Sequence, residues 1–502
     1  MQLSILTELK LPMIMLFWLL ILGLITYGLL QRGVAQITQT PVWLLWLVMM
    51  TPAFIWATWI WIYDQKLIPA GLVIIPFIVC PCLYWFLVQW GRLPPPSPES
   101  DIATPTNSML PLEKPSLPRP LDQQEEDILR TCFPWTVFPL HNIEYRLQAV
   151  ICRGQLRSNP DRAYQTIRDN INAKFSDRFL IAFQQDLQDK PFFALVPNPD
   201  QEKADPVEAN PLTRPILALS LFLITFFTTT TAGVEIVDIP LNAWQDKPSL
   251  LWAGLPYSMA LMAILSIHIS AHYLMARRYK IKATLPYFIP IPFWLGTLGA
   301  FIQIRSPFPH RQALFDISIV RVLAGFIISL PLLIWGLSQS TVVAFDPNTS
   351  GFLNFESLHP SFSFLLTLLS KLILGAGLTS ENAIHLHPVA IAGYLGLMIT
   401  AFNLIPIGQL DGGHIVHAML GQKTSLIIGQ VARFLILILA LIHSEFIILA
   451  LLLFFFPLQD ELPLNDVSEL NNIRDVIGLS TLGLLLLIIL PMPAVVAQWL
   501  NY

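Results

Sequence analysis

The sequence predicts a polytopic α-helical membrane protein with about 9–11 spans and a small soluble α+β domain inserted after the third span. Three observations support this fold class. The chain has 502 residues, of which 54% are hydrophobic and only 12% are charged, whereas soluble domains carry about 25% charged residues. The apolar residues fall into runs of about 20, the length that crosses a bilayer. A single polar stretch around residue 150 separates two apolar blocks.

The composition excludes several functional classes. The 29 basic residues are balanced by 33 acidic ones, so the chain lacks the excess positive charge that holds nucleic acid, and we expect no nucleic-acid partner. The four cysteines are too few for a disulfide framework and form no CxxC pair. The composition therefore predicts that the chain lies in a membrane, which is its first expected partner.

Residues 1–90 are predicted to form a three-span membrane module. The first apolar stretch exceeds the 7–15 residues that are usual in the core of a signal peptide, so we interpret it as an anchor helix. The three stretches cover residues 11–30, 41–63 and 68–90. Residues 91–120 are rich in proline and are predicted to be an extended linker, because consecutive prolines favour polyproline II.

Residues 121–212 have the composition of an ordinary soluble α+β domain. Asn159 precedes Pro160, and this pair predicts a helix start, with the asparagine as cap and the proline in the first turn. Residues 145–152 and 193–196 are predicted strands on either side of that helix.

Residues 213–502 are predicted to form the main membrane core. Their apolar stretches are long enough to span a bilayer, and one of them is long enough for two helices. The stretches cover residues 215–232, 249–275, 318–338, 360–378, 388–405, 425–457 and 476–499.

Charged residues predict the orientation of this core. Four basic residues follow the second of these stretches, from Arg277 to Lys282, whereas Glu235, Asp238 and Asp246 lie in the preceding loop. Basic loops stay on the cytoplasmic side, so the soluble domain is predicted to lie on the cytoplasmic or stromal side. We expect a bacterial plasma or thylakoid membrane. A chloroplast location is less favoured, because residues 1–10 lack the Ser- and Arg-rich character of a transit peptide.

Two histidines in the second of these stretches are candidate metal ligands. His268 and His272 are four residues apart and would share one face of a helix. Two imidazoles one turn apart suit a single zinc ion. The alternative is a pair of structural histidines near the membrane interface that are satisfied by other partners.

A second candidate element follows the span at residues 388–405. Residues 403–414 read NLIPIGQLDGGH, and the proline and three glycines predict a broken helix at membrane depth. Asp411 in this segment would supply an oxygen ligand. The alternative is a loop aspartate that caps the next helix.

Together, these two elements resemble the site-2 protease family of intramembrane zinc metalloproteases, and in particular its cyanobacterial and chloroplast branch. The family carries HExxH on one transmembrane helix and NxxPxxxLDG on another. The resemblance covers about residues 121–495 and implies that His268, His272 and Asp411 bind zinc, with Asn403 as a polar stabiliser. Further similar stretches are 153–157, 296–303, 316–318, 387–388 and 465–467.

The chain departs from the family pattern at the second position of HExxH. The resemblance assigns a glutamate to this position as the general base, but the residue here is Ile269. General acid–base catalysis contributes about 10²–10⁴-fold, so we expect peptide hydrolysis to be impaired or absent, and we assign no catalytic residue. Asp316 or Glu381 would substitute only if the fold brought it into the site.

A second departure is Arg321. Members of the family usually carry a Gly-Pro pair close to this position. An arginine within a span either extends its guanidinium to the basic side of the membrane or pairs with an acid, for which Asp316 is the candidate. His414 and His417 form an alternative metal pair at i and i+3.

Three functional hypotheses follow. The first is a site-2 protease-like protein with a His/His/Asp zinc site that lacks the catalytic glutamate and binds transmembrane segments as a scaffold, chaperone or competitor of active relatives. The second is an active intramembrane zinc protease that cleaves membrane-anchored substrates. The third is an ion-handling or transport protein, because broken helices with intramembrane histidine and aspartate also suit transport.

Overall fold

The computed structural model describes residues 40–63, 121–198 and 214–496 with short gaps, together with isolated residues within 23–31 and 72–91. The gaps are at 147–148, 177, 187, 189, 238, 240–246, 292–294, 345–354, 356, 380–381, 443–445 and 494. Most of the predicted first and third spans and the 91–120 linker lie outside the described residues. Internal contacts divide the chain into two units, residues 1–114 and 115–502. The domain boundaries proposed above stay predictions.

The first unit contains one long apolar helix among its described residues. Helix α1 covers Val42–Tyr63 and includes Pro52. Its first 18 residues are apolar enough to cross a bilayer. It coincides with the second apolar stretch of the N-terminal block.

The second unit begins with a small α+β region. Its elements are α2 (Gln123–Thr131), β1 (Leu140–Arg146), β2 (Ala149–Gly154), α3 (Pro160–Phe175), β3 (Phe179–Gln185) and β4 (Pro191–Pro197). The four strands form an antiparallel sheet in the order β1-β2-β4-β3. The predicted helix start is confirmed, since the Asn159 side chain accepts a hydrogen bond from the Asp161 amide. The segment predicted as one strand at 145–152 instead contains the end of β1 and the first residues of β2.

The rest of the second unit is a bundle of apolar helices. They are α4 (Pro215–Ile236), α5 (Leu251–Arg278), α6 (Arg311–Ser338), α7 (Phe364–Leu374), α8 (Pro388–Leu404), α9 (Asp411–Leu420), α10 (Gln422–Ile442), α11 (Ile447–Phe455) and α12 (Asn472–Ile489). In the part of the chain that the structure describes, six helices are long and apolar enough to cross a membrane, namely α1, α4, α5, α6, α10 and α12. The predicted class of polytopic α-helical membrane protein is therefore confirmed.

Several predicted spans have a different form in the structure. The long stretch at 425–457 contains two helices, α10 and α11. The stretch at 360–378 holds the 11-residue helix α7 between two three-residue 3-10 helices, and α8 has 17 residues. Helices α7 and α8 are therefore shorter than the six candidate spanning helices, and α7 is well below the roughly 20 residues that cross a bilayer.

The centre of the bundle is a close contact between α6 and α8. A Cβ atom on Gly336 would overlap the backbone of Ala390, and one on Gly393 would overlap the backbone of Leu333. The two glycines therefore let the helix backbones approach closely, as small residues do between membrane helices. This packing fixes the two helices that flank the candidate site on α5.

Residues 457–471, which we call the strap, connect α11 to α12 and join the α+β region to the bundle. The Phe183 amide donates to the Leu464 carbonyl at 2.6 Å, and the Asp466 amide donates to the Phe183 carbonyl at 2.9 Å. On the bundle side, the Leu464 amide donates to the Phe308 carbonyl at 2.7 Å. The strap thus extends the β3 edge of the sheet and holds it against the membrane core.

Candidate active site

Helix α5 carries the predicted histidine pair. His268 and His272 are both buried and lie one turn apart on the same face of the helix. Among the described residues, the Nδ1 atom of His272 has no hydrogen-bond partner. A buried polar atom without a partner is costly and uncommon in folded proteins, so this nitrogen is a candidate for a functional role.

The predicted broken helix is confirmed at residues 403–414. Helix α8 ends at Leu404, six residues of loop follow, and α9 begins at Asp411. Gly408 in this loop has a φ of +45°, a conformation that favours glycine. Asp411 is the first helical residue and is only 3% exposed. The cap position belongs to Leu410, without a side-chain cap bond, so the interpretation of Asp411 as a helix cap is wrong.

Glycine is required immediately after Asp411. A Cβ atom on Gly412 would overlap the Leu404 carbonyl oxygen, and one on Gly413 would overlap the Gly408 carbonyl oxygen. The first turn of α9 therefore lies directly against the preceding loop. This contact sets the position of the Asp411 carboxylate.

We expect Gly412→Ala to lower the free energy of unfolding by about 1–3 kcal/mol, because the new methyl group meets backbone atoms that cannot rotate away. Thermal unfolding of the purified full-length protein in detergent measures the effect. Gly483→Ala is the matched control, since a Cβ there meets no atom within 4 Å and alanine favours a helix. Equal melting temperatures for the two variants would contradict the packing described here.

Arg321 lies between the two predicted ligand elements. It projects from α6, and its Nε atom donates a hydrogen bond to His268 Nε2 at 2.9 Å. A terminal nitrogen of the same guanidinium is 3.4 Å from Asp411 Oδ2. The side chain is 20% exposed, because it extends into the bundle. The two interpretations of Arg321 made from the sequence, an extension to the basic side or a pair with Asp316, are therefore wrong.

Asp316 is held by another arginine. Arg474 on α12 donates two hydrogen bonds to it, at 2.8 and 2.9 Å, and the Tyr279 hydroxyl donates a third. This carboxylate joins α6 to α12 and is not a substitute for the missing glutamate. The other predicted substitute, Glu381, lies outside the described residues.

Ile269 occupies the position of the family glutamate and is 1% exposed, within the main hydrophobic core. Its side chain can neither accept nor donate a proton. On the facing helix, Gly325 allows α6 to contact His268, because a Cβ there would overlap the Nδ1 atom of that imidazole. Asn403 approaches the same ring, with its Nδ2 atom 3.4 Å from His268 Nε2, so the predicted polar position does lie beside the candidate site.

The present arrangement does not fit a zinc ion. Within the described ranges, no three His, Cys, Asp or Glu side chains converge in a geometry that could hold a metal. The lone pair of His268 Nε2 accepts the hydrogen bond from Arg321, and zinc would need a free lone pair on that imidazole. Zinc binding by His268, His272 and Asp411 stays a prediction from the resemblance, and the geometry around Arg321 opposes it.

The second histidine pair contacts carboxylates of the strap. His414 Nδ1 is 2.7 Å from Asp460 Oδ1, and His417 Nδ1 is 2.8 Å from Asp460 Oδ2. His417 Nε2 is also 3.0 Å from Asp466 Oδ1. Burial opposes the charged form of Asp460, but both histidines outweigh it and lower the pKa of this carboxyl group to about 2. The pair therefore links α9 to the strap.

Three of these partners were not predicted from the sequence. Asp460 and Asp466 contact the second histidine pair, and Arg474 binds Asp316. A usable signal was present, because each charged residue within an apolar helix needs a partner. The apolar helices offer few acids, so the polar strap between α11 and α12 was the place to look.

Comparison with known proteins identifies relatives of this chain. Residues 256–442 match the model of peptidase family M50. The chain is 32% identical over 352 residues to the probable zinc metalloprotease EGY2, chloroplastic, of Oryza sativa subsp. indica, and the match covers 68% of this chain and 62% of the relative. The Arabidopsis thaliana EGY2 protein is 29% identical over 74% of this chain and 66% of its own length. The Arabidopsis thaliana EGY1 protein is 32% identical over 55% of this chain and 53% of its own.

The chain thus spans about three fifths of the length of the first relative. No solved structure matches it. The matched region contains most of α5 and all of α6, α8 and α9, with His268, Arg321, Asn403 and Asp411. The membrane core of this chain therefore contains a domain of peptidase family M50, the site-2 protease family, and the chain is homologous to the EGY zinc metalloproteases of plant chloroplasts.

Proposed function

We propose that this protein is a site-2 protease-like membrane protein that binds transmembrane segments of other proteins and is impaired as a peptidase. Ile269 carries this proposal. It is a buried apolar residue at the position where the family needs a proton acceptor, and the acid best placed in sequence to replace that acceptor, Asp316, is bound to Arg474. Without a general base, hydrolysis loses about 10²–10⁴-fold.

A β-hairpin beside the bundle supports the binding of extended segments. Strands β5 (Tyr287–Pro290) and β6 (Thr297–Phe301) form a two-stranded sheet within the described residues. The Thr228 hydroxyl on α4 donates to the Gly296 carbonyl at 2.7 Å, so the hairpin tip reaches the middle of a spanning helix. Such a hairpin offers backbone groups to an unwound segment.

The hairpin also exposes apolar side chains. Leu298 and Phe301 are both exposed. A cleft between the hairpin and the start of α4 is lined mostly by apolar side chains, and its polar lining includes Arg214 and Arg305. This surface suits a transmembrane segment with polar or acidic residues at its end. Membrane-anchored clients of this chemistry are the proposed partners.

A combined cleavage and cross-linking experiment tests the proposal. The full-length protein is reconstituted in liposomes with a fluorescent single-span peptide. We expect no cleavage product above that of empty liposomes. We also expect a photo-crosslinker on Leu298→Cys to label the peptide more strongly than one on Ile327→Cys, a lipid-facing control of equal exposure, 66% against 67%. Equal labelling at both positions would contradict segment binding.

The second candidate function is the active zinc protease, in line with the printed names of the relatives. In the same experiment it predicts specific cleavage of the peptide that is lost in His268→Ala. The transport hypothesis is disfavoured, because the family match covers the helices that carry both candidate elements. A bacterial plasma or thylakoid membrane is the proposed location, and the printed location of the relatives is the chloroplast.

A further inference from the structure

We propose that the guanidinium of Arg321 takes the place of a metal ion, so that the site between His268 and Asp411 is held together by an arginine and excludes zinc. This inference deepens the proposed function and rests on one part of it, the assignment of His268 and Asp411 to the site of the family. The binding of transmembrane segments is a separate property that could fail without affecting it.

The first argument is the contact geometry. Arg321 Nε donates to His268 Nε2 at 2.9 Å, and a terminal nitrogen of the same group is 3.4 Å from Asp411 Oδ2. A neutral imidazole that accepts at Nε2 presents there the same lone pair that it would give to a metal. One lone pair cannot serve both partners, so Arg321 and a metal ion compete for His268.

The second argument is charge. Asp411 is almost fully buried, and in the described part of the chain its Oδ2 atom has no hydrogen-bond partner. A buried carboxylate needs a positive charge nearby, which in a metalloprotease is the ion. Here the guanidinium supplies this charge, and it is permanent because an arginine in a protein does not lose its proton. A divalent cation at the same place would be repelled by it in a medium of low dielectric constant.

The third argument is the way α6 delivers the side chain. Arg321 and Gly325 are four residues apart and so share one face of the helix. Gly325 brings the α6 backbone against His268. Arg321 is therefore placed one turn away from this contact, where its side chain reaches both the imidazole and the carboxylate.

The zinc content of purified full-length protein tests the inference. Wild type, Arg321→Ala and Arg321→Ala/Asp411→Ala are expressed with added zinc and measured by mass spectrometry of the metal. We expect wild type and the double variant to hold far less than one zinc per chain, and Arg321→Ala to approach one. Zinc near one per chain in wild type that is lost in His268→Ala would overturn the inference. So would a folded Arg321→Ala protein with no more zinc than wild type.

A second measurement covers the case in which Arg321→Ala does not fold. The melting temperature of wild type is recorded with a chelator and with added zinc, and neither should shift it. A fall with the chelator would show that a metal stabilises the site and would overturn the inference. Failure of cross-linking at Leu298 with unchanged metal content would instead overturn only the proposed function.

Discussion

Arg321→Met is expected to lower the free energy of unfolding by about 3–5 kcal/mol, the range measured when one partner of a buried ion pair is removed. Asp411 is 3% exposed, and without Arg321 no guanidinium would offset the cost of burying this carboxyl group. Methionine preserves most of the volume and shape of the arginine stem, so the loss reports the guanidinium, with its charge and its hydrogen bond to His268, and not a cavity. Chemical denaturation in detergent measures the effect.

The Arg321→Met/Asp411→Asn double variant should recover part of this loss, because no uncompensated charge is left. The interaction energy between the two sites is expected to be at least about 1 kcal/mol. Arg130→Met is the control, since the Arg130–Glu126 pair has side chains 49% and 23% exposed and such surface pairs contribute about 0–1 kcal/mol. Additive effects of the two site mutations would show that Arg321 and Asp411 do not interact.

The second large effect concerns catalysis. Ile269→Glu alone is expected to leave peptide cleavage at background, because Arg321 still engages both His268 and Asp411. Ile269→Glu combined with Arg321→Ala and supplied with zinc should gain cleavage by about 10²-fold or more, the usual contribution of a general base. Cleavage of the reconstituted single-span peptide is the measurement.

The matched control is Ile269→Gln with Arg321→Ala. Glutamine has the size of glutamate and brings a similar burial cost, but it cannot take a proton. This variant should stay at background. Cleavage by Ile269→Glu with Arg321 intact would mean that the arginine does not block the site. The isoleucine at position 269 would then by itself account for the absence of peptide cleavage.

Much of the fold was predictable because it depends on local patterns. Apolar runs located the spanning helices, and the Asn159-Pro160 pair located a helix start. The prolines and glycines between Asn403 and His414 predicted the broken helix that presents Asp411. These features follow from hydrophobicity and backbone constraints, which neighbouring residues determine.

The pairing of charged groups was not predictable, because it depends on how the helices pack. Asp316 and Arg321 lie on the same helix only five residues apart, yet one pairs with Arg474 and the other with Asp411. The partners are 158 and 90 residues away in the chain, and sequence spacing carries no information on such contacts. The role of the strap was not predictable for the same reason, because Asp466 pairs with His417 and Arg311 only in the folded chain.

The strap links the α+β region to the helix that carries Asp411. Phe183 on the β3 edge bonds to the strap, Asp466 in the strap bonds to Arg311 at the start of α6, and Asp460 contacts His414 and His417 on α9. The α+β region is thus connected through the strap to both α6 and α9. These two helices carry Arg321 and Asp411.

The most direct test of an arginine in place of the metal is diffraction from crystals of the full-length protein grown with zinc, with data on both sides of the zinc absorption edge. We predict guanidinium density between His268 Nε2 and Asp411 and no anomalous peak there. A zinc peak within about 2.0–2.2 Å of the His268 nitrogen and an Asp411 oxygen, with Arg321 turned away, would contradict it.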